Sequence, residues 1–178
     1  PDASDPKLFL MHLQRALQQG IRLVQLRVFD LDEEALISLA MQAQALCEAQ
    51  NAQLLINGAI DVSVDLGAAG VHLNSRQLRT QTSRPECAGL VAASCHDAED
   101  LKRAQDLGAD FAVLSPVLPT RSHPDASPLG WQKFAELAEG VAMPVYALGG
   151  MSPAAMQMAW ASGAQGISGI RGLWPESL

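Results

Sequence analysis

The chain has 178 residues, 48% of them hydrophobic and 4% aromatic, and it carries a formal net charge of −7 at pH 7. This length suits a single domain with a full hydrophobic core, and the acidic balance disfavours nucleic acid and anionic membranes as partners. No apolar run approaches the roughly 18 residues of a membrane span. Cys47, Cys87 and Cys95 are odd in number and lack CxxC or zinc-type spacing, which indicates reduced thiols and a cytoplasmic location.

Apolar periodicity, helix caps and glycine stops predict helices that alternate with strands along the chain. Ser4 or Asp5, Asp32 and Asp97 are predicted N-caps, and Ser152 is predicted to cap a later helix. The predicted helices cover 7–18, 32–49, 60–66, 97–107, 131–139 and 153–161, and the predicted strands cover 21–27, 53–56, 70–73, 89–94, 111–114, 145–148 and 166–170.

Three near-repeats, GAAGVHL, GADFAVL and GAQGISG, each place a glycine at a helix end and a strand directly after it. Strands that alternate with helices at this spacing predict a parallel sheet, and the repetition favours a TIM (β/α)₈ barrel over an open sheet. A full barrel has eight strands, and the first of them is not recognised. We expect that strand upstream of Pro1, which makes this single domain part of a longer chain.

The stretch from 144 to 172 contains two glycine turns, each at the end of a predicted strand. Gly149 and Gly150 follow the first of these strands, while Ile170 and Arg171 stand at the end of the second. Backbone N–H groups in such turns can hold a phosphate, and the last two βα turns of a TIM barrel often do so. Arg171 would add a fixed positive charge. The alternative interpretation is that these glycines only make tight turns.

Six motifs stand in an order and spacing that resembles the thiamin phosphate synthase and TenI superfamily. They are QLR, IN followed by DV, GAAGVHL, a strand ending in Ser with His two residues on, SPVLPT and ALGGM, and the match extends from Lys7 to Gly172. The resemblance implies a TIM barrel with its site at the carboxyl ends of the strands. It also implies a small phosphorylated heterocycle as the ligand, either a thiazole phosphate or a pyrimidine.

Several positions depart from the synthase pattern that the resemblance implies. The two magnesium-binding Asp positions are occupied by Gly58 and Gln77, and two Lys positions are occupied by Phe29 and His123. A pyrophosphate leaving group carries about three negative charges. Without a metal ion or lysine, few groups are left to neutralise them. These departures disfavour magnesium-dependent coupling and predict that the chain has no metal site.

The residues that are kept, or conservatively replaced, at family positions are candidates for binding the ligand. Arg27 offers a guanidinium to an anion at a strand end, and Gln25 and Asn57 can orient a heterocycle through two-sided hydrogen bonds. Each of these side chains could instead hold a loop or an ion pair in place. The predicted ligand-binding residues are Gln25, Arg27, Asn57, Ser94, Thr120 and Ser122.

The histidines are candidates for acid–base catalysis. TenI-type proteins isomerise a thiazole phosphate carboxylate without metal, and the histidine that the resemblance implies for this reaction aligns with Pro116. His123, His72 and His96 are the predicted substitutes, because imidazole exchanges protons near neutral pH. Each also has a structural interpretation: backbone bonding for His72, a place beside a helix cap for His96, and solvent exposure for His123.

Three functions follow from this sequence. The first is a TenI-like barrel that binds a thiazole phosphate or a related heterocycle without a cofactor and isomerises it. The second is a thiamin phosphate synthase, which would join a pyrimidine pyrophosphate to thiazole phosphate with magnesium. The third is a non-catalytic ligand-binding or accessory domain fused to an upstream Nudix hydrolase, a fusion that occurs in this superfamily. The sequence leaves open the substrate, the presence of turnover and the formation of a homo-oligomer.

Overall fold

The computed structural model describes residues 5–28, 31–86, 89–121 and 126–174. Helices and short strands alternate along these residues, as predicted. The helices are α1 (Pro6–Gln18), α2 (Glu33–Ala49), α3 (Ile60–Asp65), α4 (Ser75–Thr80), α5 (Ala98–Leu107), α6 (Gly130–Glu139) and α7 (Met156–Ala161). The strands are β1 (Leu23–Leu26), β2 (Gln53–Asn57), β3 (Gly70–Leu73), β4 (Leu90–Cys95), β5 (Phe111–Leu114), β6 (Val145–Ala147) and β7 (Gly166–Ile167). Their hydrogen-bonded order follows the chain from β1 to β7, and every pair with a described register is parallel.

The three predicted aspartate caps are confirmed. The side chains of Asp5, Asp32 and Asp97 each accept a hydrogen bond from the backbone N–H three residues on, at 3.1, 2.8 and 2.8 Å. Such a bond satisfies one of the donors that the first turn of a helix leaves without a partner. The starts of α1, α2 and α5 are therefore fixed by local sequence.

The three glycine repeats produce the same local structure. Gly67, Gly108 and Gly163 follow α3, α5 and α7 with φ angles of 59°, 79° and 81°, a conformation that favours glycine because it has no Cβ. The residue after each glycine donates its N–H to the carbonyl five positions back, at 3.0, 2.9 and 2.9 Å. This arrangement ends each helix and leads the chain into β3, β5 and β7.

Several element bounds differ from the predictions by one or two residues, such as β1 (Leu23–Leu26, predicted as 21–27), and three differences are larger. The helix α4 was not predicted; it begins at a capping box in which Asn74 and Gln77 bond each other's backbone N–H. Ser152 does not cap an α-helix, because Pro153–Ala155 form a 3₁₀ turn without a side-chain cap and the Ala155 N–H bonds the Ser152 carbonyl at 2.9 Å. The last strand ends at Ile167 rather than at residue 170, since the chain then turns back.

The described residues divide into two compact units. The first comprises the described residues up to 72, the described part of 85–90, and Trp174. Its core lies between α1, α2, β1 and β2, where Leu17, Leu54 and Ile56 are at most 2% exposed. Burial of each such side chain contributes about 1.5–3 kcal/mol. Trp174 packs on Phe9 with ring centroids 5.4 Å apart, which ties the end of the described chain to α1.

The second unit comprises residues 73–84 and the described part of 91–173. All four residues of β5 are buried, and Phe134 of α6 is fully buried. The guanidinium of Arg103 donates to the carbonyls of Leu78 and Gln81, at 2.6 and 2.9 Å, at the end of α4. These bonds attach the short helix α4 to α5.

Among the described residues, no helix has the length and apolar character needed to cross a lipid bilayer.

Candidate functional site

In the first unit, four predicted site residues lie at the carboxyl ends of three neighbouring strands. Gln25 lies in β1 opposite Leu55, and Arg27 comes directly after the last residue of β1. Asn57 ends β2 and pairs with His72 in β3. The parallel register therefore brings two amides, a guanidinium and an imidazole to the same end of these strands, where parallel sheets generally bind ligands.

His72 is the buried member of this group, with 2% of its surface exposed. Burial and, as the smaller cause, the positive charge of Arg27 together lower the pKa of its imidazole to about 4. The ring is neutral near pH 7, so it has one nitrogen that can donate a hydrogen bond and one that can accept a hydrogen bond. It does not carry the proton that a general acid gives away, which disfavours that part of the predicted catalytic role.

The neutral state of His72 predicts a loss of stability in mild acid. The unfolded chain takes up a proton on this imidazole near pH 6.5, whereas the folded chain does so only near pH 4, so protons favour unfolding between these values. We expect the free energy of unfolding to fall by about 1 kcal/mol between pH 7 and about pH 5.5 through this group. Urea unfolding at both pH values measures the effect, and His72→Gln is the control without the titrating group. An equal fall in both proteins would contradict this prediction.

His96 follows β4 in the second unit, and its ring is held by a backbone carbonyl. The Nδ1 atom lies 2.8 Å from the carbonyl oxygen of Ser115. A carbonyl oxygen only accepts hydrogen bonds, so Nδ1 carries the proton. The neutral ring then has Nε2 as its acceptor. The main chain is fixed as well, since the His96 N–H donates to Oδ2 of Asp100 at 3.0 Å.

The predicted phosphate turns of the second unit pack against each other. Gly149 and Gly150 follow β6 with φ angles of 98° and 69°. A Cβ on Gly172 would fall on the backbone carbonyl of Met151, so the turn after β7 runs beside the residue that follows Gly150. The structure therefore brings together the four predicted phosphate-binding residues. They are Gly149, Gly150, Ile170 and Arg171.

Backbone contacts connect these turns to His96. Gly149 approaches Pro116 so closely that a Cβ would lie 2.8 Å from the Pro116 Cα. The carbonyl of Gly149 also accepts a hydrogen bond from the Leu118 N–H at 3.1 Å. Because Ser115 precedes Pro116, the carbonyl that holds the His96 ring belongs to the segment on which the glycine turn rests. The imidazole and the turns thus form one continuous set of contacts.

The four remaining predicted site residues add little to the description of the site. Ser94 is half-buried in β4 opposite Val113, and Thr120 is half-buried before the end of the described segment 89–121. Ser122 and His123 lie outside the described residues, so their predicted roles stay predictions.

The residues at the implied magnesium positions do not fit a magnesium ion, which takes oxygen ligands, chiefly carboxylates and waters. Gly58 has no side chain, and its N–H donates to the His72 carbonyl at 3.0 Å. The side-chain oxygen of Gln77 accepts from the Asn74 backbone and side-chain nitrogens, at 3.3 and 2.8 Å, as part of the α4 capping box. In the part of the chain that is described, no group of three or more His, Cys, Asp or Glu side chains could hold a metal.

Sequence reasoning missed Asp100 and its partner Arg79. The Asp100 carboxylate is 2% exposed and accepts hydrogen bonds from Nε and Nη2 of Arg79, at 2.9 and 3.1 Å. In the sequence, Asp100 stands beside Glu99 in the first turn of a helix, where acidic residues are ordinary. No local signal separates the buried carboxylate from the exposed one.

Comparison with known proteins agrees with these motifs. Residues 1–173 match the family described as thiamine monophosphate synthase. A protein of Aquifex aeolicus named "Putative thiamine-phosphate synthase 2" is 40% identical over 163 residues, which cover 91% of this chain and 88% of that protein. A Geobacter sulfurreducens protein named "Putative thiamine-phosphate synthase" is 36% identical over 160 residues, with 88% of this chain and 75% of that protein covered.

The fold also has a counterpart among solved structures. The structure of a thiamine phosphate pyrophosphorylase from Pyrococcus furiosus matches with a TM-score of 0.76 and 22% identity, over 90% of this chain and 78% of that one. At this identity the likeness concerns the fold, and it confirms the predicted TIM-barrel class. With the family match over nearly the whole chain and the motifs described above, the conclusion is that this chain belongs to the thiamine monophosphate synthase family.

Proposed function

We propose that this chain is a thiamine-phosphate synthase, the activity named for its relatives, and that it binds a thiazole phosphate and converts it to thiamine phosphate. The observation that carries the proposal is the family match over residues 1–173, together with the 40% identical relative from Aquifex aeolicus. These comparisons favour the synthase over the TenI-like isomerase, which was the first interpretation of the sequence.

In the proposed reaction, the bond between a pyrimidine methylene carbon and its pyrophosphate breaks, and the same carbon bonds to the thiazole nitrogen. Pyrophosphate leaves with the electron pair. Within the first unit, Gln25 and Asn57 can hydrogen-bond a pyrimidine ring, and the Arg27 guanidinium can bind a pyrophosphate. Within the second unit, the Gly149–Gly150 turn and Arg171 can bind the phosphate of a thiazole phosphate.

We expect the binding of thiazole phosphate to be independent of magnesium. Gly58 offers no ligand to a metal ion, and the Gln77 oxygen is engaged within the α4 capping box. Calorimetric titration with thiazole phosphate should give the same dissociation constant within about twofold in excess magnesium and in EDTA. A tenfold or larger gain in affinity with magnesium would mean that other residues bind the ion.

A metal-free isomerisation of a thiazole phosphate carboxylate is the second candidate function. The observation that favours it is His96, whose ring has its Nδ1 bonded to Ser115 and its Nε2 as an acceptor. An isomerisation removes a proton at one ring position and returns it at another, so one such imidazole can serve both steps. The predicted alternatives His72 and His123 remain to be tested beside it.

One set of assays separates these functions. Purified protein is incubated with pyrimidine pyrophosphate and thiazole phosphate, with and without magnesium, and thiamine phosphate is measured by chromatography. In parallel, isomerisation of the thiazole phosphate carboxylate is followed by NMR. Thiamine phosphate formation supports the synthase, and isomerisation alone supports the second candidate. Binding without either product would favour the third interpretation, a non-catalytic domain of a protein with a Nudix hydrolase, and would refute the proposed reaction.

A further inference from the structure

The buried carboxylate of Asp100 has more partners than a helix end requires. Asp97 already caps α5, and it accepts its hydrogen bond from the N–H of Asp100 itself at 2.8 Å. The Asp100 side chain is therefore not needed to cap the helix, yet Asp100 is buried, with 2% of its surface exposed. A buried carboxylate is costly unless it is paired and hydrogen-bonded. Its partners should indicate why the chain keeps a carboxylate there.

Three hydrogen bonds satisfy this carboxylate, and they come from two places. Arg79 of α4 donates twice, at 2.9 and 3.1 Å, in the two-pronged geometry typical of an arginine–carboxylate pair. The third donor is the backbone N–H of His96, at 3.0 Å from Oδ2. Asp100 thus joins α4 to His96, which lies in the turn between β4 and α5. The imidazole of His96 in turn bonds the Ser115 carbonyl.

We infer that Asp100, held by Arg79, is a positioning residue that fixes His96 in the Nδ1–H form with Nε2 as acceptor toward the thiazole ligand. The backbone bond sets where the His96 Cα lies, and that position decides whether Nδ1 can reach the Ser115 carbonyl. An imidazole released to solvent has no carbonyl to hold the proton on Nδ1, so its tautomers mix. The ligand part of this inference rests on the proposed function, whereas the tautomer part does not.

The test uses Asp100→Asn and, as its matched control, Asp106→Asn on the same helix, where Asp106 pairs with Lys102 at the surface. Arg79→Gln is the second test variant, since the Arg79 side chain is 56% exposed and its replacement removes the charge that pairs with Asp100 without opening a cavity in the core. Nitrogen-detected NMR of the imidazole in ligand-free protein reports the tautomer of His96. Calorimetry reports affinity for thiazole phosphate, and circular dichroism confirms that each variant is folded.

We expect the Nδ1–H form to predominate in the native chain and in Asp106→Asn, and to give way to a mixture in Asp100→Asn and Arg79→Gln. Affinity for the ligand should fall about tenfold in the last two variants. An unchanged tautomer in both folded variants would overturn the inference, as would an Nε2–H form in the native chain. If the native chain binds no thiazole phosphate while the tautomer still depends on Asp100, the proposed function fails and the positioning role stands.

Discussion

Replacement of Gly149 by alanine is expected to lower the free energy of unfolding by about 3 kcal/mol and to abolish phosphate binding. Two effects add. The φ angle of 98° is one that residues with a Cβ rarely adopt, and the new Cβ would lie 2.8 Å from the Cα of Pro116. Because a backbone atom cannot move aside as the end of a flexible side chain can, the turn must shift. Urea unfolding and titration with thiazole phosphate measure the two losses.

Gly163 provides the matched control. It has a similar φ angle of 81°, but among the described residues beyond its own chain neighbours no heavy atom lies within 4 Å of the Cβ that alanine would add. Gly163→Ala should therefore cost only about 1 kcal/mol, from backbone strain alone, and leave ligand affinity unchanged. Equal losses of stability at the two positions would mean that contact with Pro116 is unimportant and that the turn adapts.

Replacement of Arg171 by alanine is expected to weaken thiazole phosphate binding by about 1.5–3 kcal/mol, which is roughly 10- to 150-fold. The physical reason is the loss of a charge-assisted hydrogen bond to the phosphate. Stability should change little because Arg171 is exposed. Calorimetric titration measures the affinity, and its salt dependence should weaken with the charge removed.

Two further variants sharpen the interpretation of Arg171. Arg171→Lys keeps the charge but lacks the planar guanidinium group, so its affinity for thiazole phosphate should lie between those of the native chain and Arg171→Ala. Arg76→Ala removes an exposed arginine of α4 in the same unit and should bind normally. Unchanged affinity in Arg171→Ala would remove this arginine from the site, while the glycine turns could still hold the phosphate.

Two residues, Gly58 and Gln77, raise the question of how this chain would neutralise phosphate charge without magnesium. A member of this family with Gly58 and Gln77 at the implied magnesium positions must meet phosphate charge with guanidinium groups and backbone N–H groups. We propose Arg27 and Arg171 for that task. The assays with and without magnesium therefore test the reaction and the departure from the family pattern together.

Local sequence determined most of the secondary structure. An aspartate cap or a left-handed glycine acts within four or five residues, so Asp97 and Gly108 suffice to bound α5 wherever it packs. Alternation of such helices with apolar strands also predicted the barrel class. The segment at 74–77 carried a capping-box signal for α4, but Gln77 was considered only as the occupant of an implied magnesium-binding position, and the helix was not predicted.

Only the tertiary structure decided the state of the site residues. The types of side chain at the strand ends were predictable, because strand ends and motif positions are visible in sequence. The lowered pKa of His72 depends on burial and on Arg27, which follows another strand, and the tautomer of His96 depends on the Ser115 carbonyl. Asp100 is buried because α4 packs against α5. Burial, electrostatic fields and hydrogen bonds between distant residues arise from packing, whereas caps and turns are properties of the chain itself.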